Sequence, residues 1–246
     1  MAIRILIFTT LLWILSGSVY ASKSDIRDSG ISSGKIGLYQ DSITSLLQNQ
    51  GDKSAQSDNI GSRIISLTSA NNIDGLLSLA SSLKKSIAQE KPDSATLSEY
   101  YYYIGVCYLL SGKYNEAIEN LNSSVSLKRM LRLTDEHYLK AIYNIGVSFN
   151  YLGDYIQVCN YMLDYINEAS EVYGQDDPEV TEAYTTLIGA TVECRDFESF
   201  PDYSAQILGI LSNNRNAVTG NNLIRLYINI GVGYIMMADY TRARIY

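Results

Sequence analysis

Histidine and tryptophan each occur once in the 246 residues, and proline and cysteine three times each. A general base needs an orienting partner and a nucleophile within reach. The single His137, in Thr-Asp-Glu-His-Tyr at the start of a helix, shows neither and reads as a solvated first-turn side chain. No zinc-binding H-E-x-x-H, nucleophile elbow or dinucleotide fingerprint occurs. The run Gly105 to Lys113 ends in glycine and lysine like a phosphate loop, but its glycine spacing is wrong and Tyr114 stands where that loop needs a hydroxyl residue. Catalysis and cofactor binding are therefore not expected, and no metal site is read. Basic residues are in deficit: 19 stand against 26 acidic ones, a net charge of −7. Nucleic-acid binding rests on a basic surface that displaces counterions, so it is not expected either.

Long apolar runs are also missing, save one. Met1 to Arg4 is a short basic start, Ile5 to Leu15 is apolar, and Ser16 to Ala21 is small and polar, with Val19 and Ala21 at the positions before a cut. That is a secretory signal peptide over residues 1–21, too short in its apolar part for the roughly 20 residues that span a bilayer. A periplasmic or extracellular location is expected. Residues 22–53, rich in serine, glycine and aspartate, read as a polar tether with a short helical stripe at Ile36, Tyr39, Ile43, Leu46 and Leu47.

What is present is repetition. Counting from Gly105, the segment from Tyr101 has an aromatic four before, an aliphatic one before, Tyr108 three after, Gly112 seven after, Tyr114 nine after, Ala117 twelve after and Leu121 sixteen after. The pattern returns at Ile142, Ile145, Gly146, Phe149, Gly153 and Tyr155, and at Tyr227, Ile230, Gly231, Tyr234, Tyr240 and Ala243, with a looser copy at Ile188, Gly189 and Val192. Gly105, Gly146, Gly189 and Gly231 are separated by steps of 41, 43 and 42 residues, and a degenerate copy surrounds Ile64, Leu67 and Ile73. Such a sequence resembles the tetratricopeptide repeat family, and the period near 42 together with Glu171 to Val180, where a helix end runs into glycine, acids and Pro178, resembles its kinesin-light-chain type.

The resemblance implies an all-α fold, a right-handed α-solenoid of antiparallel helix pairs. The array is expected over 54–246, with a degenerate unit at 54–93, units at 94–134, 135–176 and 177–216, and an incomplete unit at 217–246. Where the two helices of a unit cross, only small residues fit without overpacking. Gly105, Gly146, Gly189 and Gly231 are expected at the crossing on the first helix, with Ala117 and Ala243 opposite on the second. Glycine in the turns at 111–113 and 152–154 suits a helix end, Gly174 is expected to cap a helix, and Pro178 to open the next. The third unit carries Cys-Arg-Asp-Phe in place of the glycine turn and is one residue shorter, which displaces its second helix to begin near Pro201 with Ser199 as cap.

In the family, the inner side of each first helix lines a groove. Carried onto this chain, that lining is Glu99, Tyr102 and Val106, then Lys140, Tyr143, Asn144, Val147 and Asn150, then Thr186 and Glu193, then Arg225, Ile228 and Asn229. Asn144 and Asn229 stand where the family uses asparagine to hold an extended peptide backbone, since an amide both donates and accepts. Only Lys140 and Arg225 are basic, so the family's clamp for a terminal carboxylate is not matched. The functional expectation is a non-enzymatic scaffold for a protein or peptide partner. The rival reading, resting on the break at Tyr246 inside a repeat, is the extracytoplasmic sensor region of a membrane signalling protein, tethered through a missing C-terminal part. Cys107, Cys159 and Cys194 have no close spacing, which excludes a disulfide framework. Two readings stay open: small buried residues, or one bridge between Cys159 and Cys194, which fall in successive repeats.

Overall fold

A computed structural model describes residues 55–218 and 220–246. The leader and the tether lie outside the described residues. Every regular element among those residues is a helix: α1 (Ala55–Ser69), α2 (Ile73–Glu90), α3 (Ser94–Leu110), α4 (Tyr114–Leu131), α5 (Glu136–Leu152), α6 (Tyr155–Tyr173), α7 (Pro178–Glu193), α8 (Phe200–Asn213), α9 (Gly220–Met236) and the single turn α10 (Tyr240–Ala243). Each packs on its neighbour in sequence from α1 to α8, and first helices also meet across units, α1 with α3, α3 with α5 and α7 with α9. This is an all-α solenoid.

Short polar side chains start the helices. Asp93, Asp135, Asp154, Asp177 and Asp239 each accept a hydrogen bond from a first-turn amide of the helix they precede, and Asn72 does the same for α2. Each such cap contributes about 1 kcal/mol. The ends are made by residues in the left-handed region, where glycine is least strained. Gly112 (φ 72°) and Gly153 (φ 76°) occupy it as expected, but Arg195 (φ 60°) and Ala238 (φ 59°) hold the matching place in the last two turns. Gly174 ends α6 and Pro178 opens α7, as expected. Helix α8 begins at Phe200, and Ser199 makes no side-chain cap. Instead the Ser199 amide donates to the Asp196 carboxylate at 3.2 Å.

Burial separates the two kinds of helix. In α5 every residue from Tyr138 to Ser148 is buried, because the helix is covered both by second helices and by a neighbouring first helix. The second helices bury one stripe spaced by three or four residues: Ala117, Leu121 and Val125 in α4, and Val158, Met162, Tyr165, Ile166 and Ala169 in α6. Tyr114 of α4 ties consecutive units by stacking on Tyr151 of α5, centroids 4.6 Å apart.

The crossings differ in detail from expectation. A Cβ on Gly105 would lie 2.5 Å from Leu121 Cγ, and one on Gly146 would lie 2.2 Å from Met162 Cε. The residue opposite each glycine is thus the large one sixteen positions on, and Ala117 sits one turn earlier, buried in the same stripe. Gly189 does not face α8 at all. Its neighbour is the Asn229 amide of α9, 2.9 Å from a Cβ built there. The short turn at Arg195 offsets α8, so the space over Gly189 goes to the next first helix. Gly231 is looser, with Tyr246 Cβ at 3.7 Å and the Ala243 carbonyl at 4.0 Å. The tightest approach is at a glycine outside the expected set: a Cβ on Gly233 would come within 2.1 Å of the Phe200 ring.

Candidate partner-binding surface

The second turn of α3, the first turn of α5 and the last turn of α4 meet in a polar cluster. Lys128 of α4 is 1% exposed and donates to Asp135 Oδ2 at 2.7 Å and to the Glu99 carboxylate of α3. Glu99 Oε2 meets Nδ1 of His137, on α5. Burial by itself would raise the Glu99 carboxyl, but the His137 and Lys128 contacts outweigh it and hold the group at about 2. Glu99 is therefore ionised near neutrality, and the proton in its bond to His137 belongs to Nδ1. The imidazole lies flat on the Tyr102 ring and edge-on to Tyr103. His137 is thus not a solvated side chain; its side chain is 12% exposed. Lys128 gave no repeat signal in the sequence, because Ala169 and Ser212 stand at its place in the next two units, whereas Asp135 belongs to the evenly spaced series Asp93, Asp135 and Asp177.

A second cluster lies at the start of α7. Lys140, 2% exposed, pairs with Glu136 one turn earlier, and Tyr165 donates to Glu179 Oε2 at 3.2 Å. Burial raises the Glu179 carboxyl, with Asp177 and Glu136 adding to it against the pull of Lys140 and Tyr165.

The residues expected to line a groove separate into two groups. Tyr102, Val106, Lys140, Tyr143, Asn144, Val147 and Thr186 are buried, at 5% exposure or less. They are covered by their own array: His137 covers Tyr102, and Tyr143 packs on Tyr165. Asn144 Oδ1 and Thr186 Oγ1 are buried with no hydrogen-bond partner among the described residues. Glu99, Asn150, Arg225 and Asn229 are half-buried, and Glu193 and Ile228 are exposed. Asn229 is not simply a lining residue; its amide rests on Gly189 and donates to the Thr185 carbonyl at 3.3 Å. The reachable positions therefore lie at the ends of the first helices and on α9. There Ile224 and Ile228, 59% and 52% exposed, stand a helical turn apart beside Arg225 and Asn229.

Among the described residues no group of three or more histidine, cysteine or acidic side chains is placed to hold a metal ion. No described helix is long and apolar enough to cross a membrane.

An array of paired helices with close-packed first helices is the architecture of TPR-like repeat proteins, and solved structures of that class superpose on the chain. BtubC (BKLC) from P. vanneervenii does so with a TM-score of 0.64 at 17% identity, over 76% of this chain and 75% of that one. The nearly identical TPR-like repeats of a putative kinesin light chain from Podosopora anserina give 0.59 at 11% identity, over 78% and 89%. A singly substituted form of those repeats gives 0.61 at 11% identity, over 78% and 93%. No family model matches the sequence, and no curated protein does. At these identities the likeness establishes the fold alone, a TPR-like α-solenoid.

Proposed function

We propose that the chain is a non-enzymatic scaffold that holds a protein or peptide segment against the inner side of its first helices. The observation that carries this reading is the surface of α9, where exposed Ile228 stands between Arg225 and Asn229 on a helix that packs beside α7. An aliphatic anchor flanked by a cation and an amide suits a segment that buries one apolar side chain and pairs its backbone or an acid alongside. TPR-like folds supply such surfaces by stacking first helices side by side, and the fold of this chain supports the same use. Export through the leader at residues 1–21 belongs to the same proposal and rests on the sequence alone.

The test is affinity capture by the full chain and by the double variant Ile228→Glu, Arg225→Glu, with circular dichroism showing equal helicity. A partner held by the parent and lost by the variant supports the proposal. Equal capture by both proteins rules out this surface.

A further inference from the structure

In the unit of α5 and α6 the second helix covers the first along its length. Tyr161 of α6 stacks on Phe149, Tyr165 packs edge-on to Tyr143, and Glu168 accepts from the Tyr138 hydroxyl at 2.7 Å. Along α9 the cover stops halfway. The single turn α10 and the residues after it reach Tyr234 and Tyr227, whose rings each stack on Tyr246 with centroids 6.0 Å apart. Beside and before Tyr227 the surface stays open. Ile224 and Ile228 are exposed there, although Leu139 and Tyr143, at the same distances before the repeat glycine in α5, are buried. The charge changes sign at the same place. Residues 135–213 carry fourteen carboxylates against Lys140 and Arg195, whereas residues 214–246 carry four arginines against Asp239 alone. Arg242 pairs with that Asp239 and lies over the Tyr234 ring. Arg225, next to Ile224 on α9, and the exposed Arg244, next to Ile245, keep positive charge beside the open apolar stripe.

We infer that this slot takes an acidic amphipathic helix of a partner protein, laid antiparallel to α9 and in line with α10. The inference rests on the scaffold reading above and names the chemistry of the partner. Ile224, Tyr227 and Ile228 recur at helical spacing, so the face they present matches the apolar stripe of another helix. The covering helix α6 gives the precedent for an acid, since its Glu168 lies 3.6 Å from Arg129 while it bonds Tyr138. A glutamate on the incoming helix meets Arg225 or Arg244 in the same way. A second copy of this chain fits less well, because pairing two such ends sets arginines against arginines.

The probe is a synthetic amphipathic peptide of about four helical turns, leucine on one face and glutamate on the other, titrated into the full chain by fluorescence anisotropy. A peptide with lysine in place of glutamate is expected to bind at least about tenfold more weakly. The uncharged variant Ile224→Gln, with helicity equal to the parent by circular dichroism, is expected to bind the acidic peptide about fivefold more weakly. No binding of the acidic peptide, equal binding of the two peptides, or undiminished binding to Ile224→Gln would each overturn the inference. A dimer seen by sedimentation and abolished by Ile224→Gln would give the slot to a second copy and overturn it as well. Should the peptide fail while the captured protein is still lost from the Ile228→Glu, Arg225→Glu variant, the helix inference falls and the scaffold reading stands. Equal capture by that variant and the parent removes the scaffold reading itself.

Discussion

The Tyr102 ring and the His137 imidazole lie face to face, with centroids 4.3 Å apart and planes inclined by 20°. One residue is on α3 and the other on the first turn of α5, so the stack joins two consecutive first helices of the array. Glu99 fixes the imidazole from its Nδ1 side and shares the buried Lys128 with Asp135. One patch thereby ties α3, α4 and α5.

Removing the imidazole is expected to weaken that joint. His137→Ala should lower unfolding free energy by about 1–2 kcal/mol, combining lost aromatic contact with a carboxylate that keeps only Lys128. A double-mutant cycle with Tyr102→Leu, read by urea denaturation, should give a coupling of about 0.5–1.5 kcal/mol. Additive effects would show that the two rings do not support each other.

Acid should find the same patch. Glu99 sits at about 2 in the fold, against an ordinary value of 4.5. The folded chain holds this proton more weakly than the unfolded chain, so the stability it contributes is present above about pH 4.5 and is lost as pH falls toward 2. Melting temperature measured across that window should fall more steeply for the parent than for Glu99→Gln. Parallel curves would place the acid sensitivity elsewhere.

The glycines should not be equivalent. A methyl at Gly146 meets the mobile end of Met162, while one at Gly233 meets three atoms of the Phe200 ring at 2.1–2.8 Å. Phe200 is fully buried and packs edge-on to Tyr234, which leaves the ring little room to turn. Gly146→Ala should change stability by less than about 1 kcal/mol, since better helix propensity offsets the crowding. Gly233→Ala should cost about 2 kcal/mol. Thermal melts of the two variants decide it, and a larger loss at Gly146 would contradict the packing described.

Two turns can be improved. Arg195 and Ala238 adopt left-handed backbone (φ 60° and 59°) where the earlier units have glycine. Replacing either by glycine should stabilise the array by up to about 1 kcal/mol, the relief of the Cβ clash outweighing the added freedom of the unfolded chain. Ala238, exposed and without a side-chain interaction to lose, gives the cleaner measurement by urea denaturation.

Periodicity carried the fold a long way. The recurring glycines, the aspartate that caps five of the ten described helices and the Gly174 to Pro178 connection all act within a few residues of themselves, so their consequences could be read locally. The packing partners could not. Gly105 meets Leu121 rather than Ala117, and Gly189 meets Asn229 of the next unit rather than α8. One residue missing from a turn moves a whole helix relative to its neighbours, and no local pattern records where the vacated space goes. The expected lining suffered most: Tyr102, Tyr143 and Asn144 hold the inward register but are covered by other parts of the array.

Helix, turn and repeat length were decided by the chain order alone, because capping, left-handed turns and the 3.6-residue stripe depend on neighbours a few positions away. Which inward side chains stay open to a partner was decided only when the units stacked. Burial of Tyr102 depends on His137, and a buried Lys128 is tolerated only where Glu99 and Asp135 converge on it from other helices.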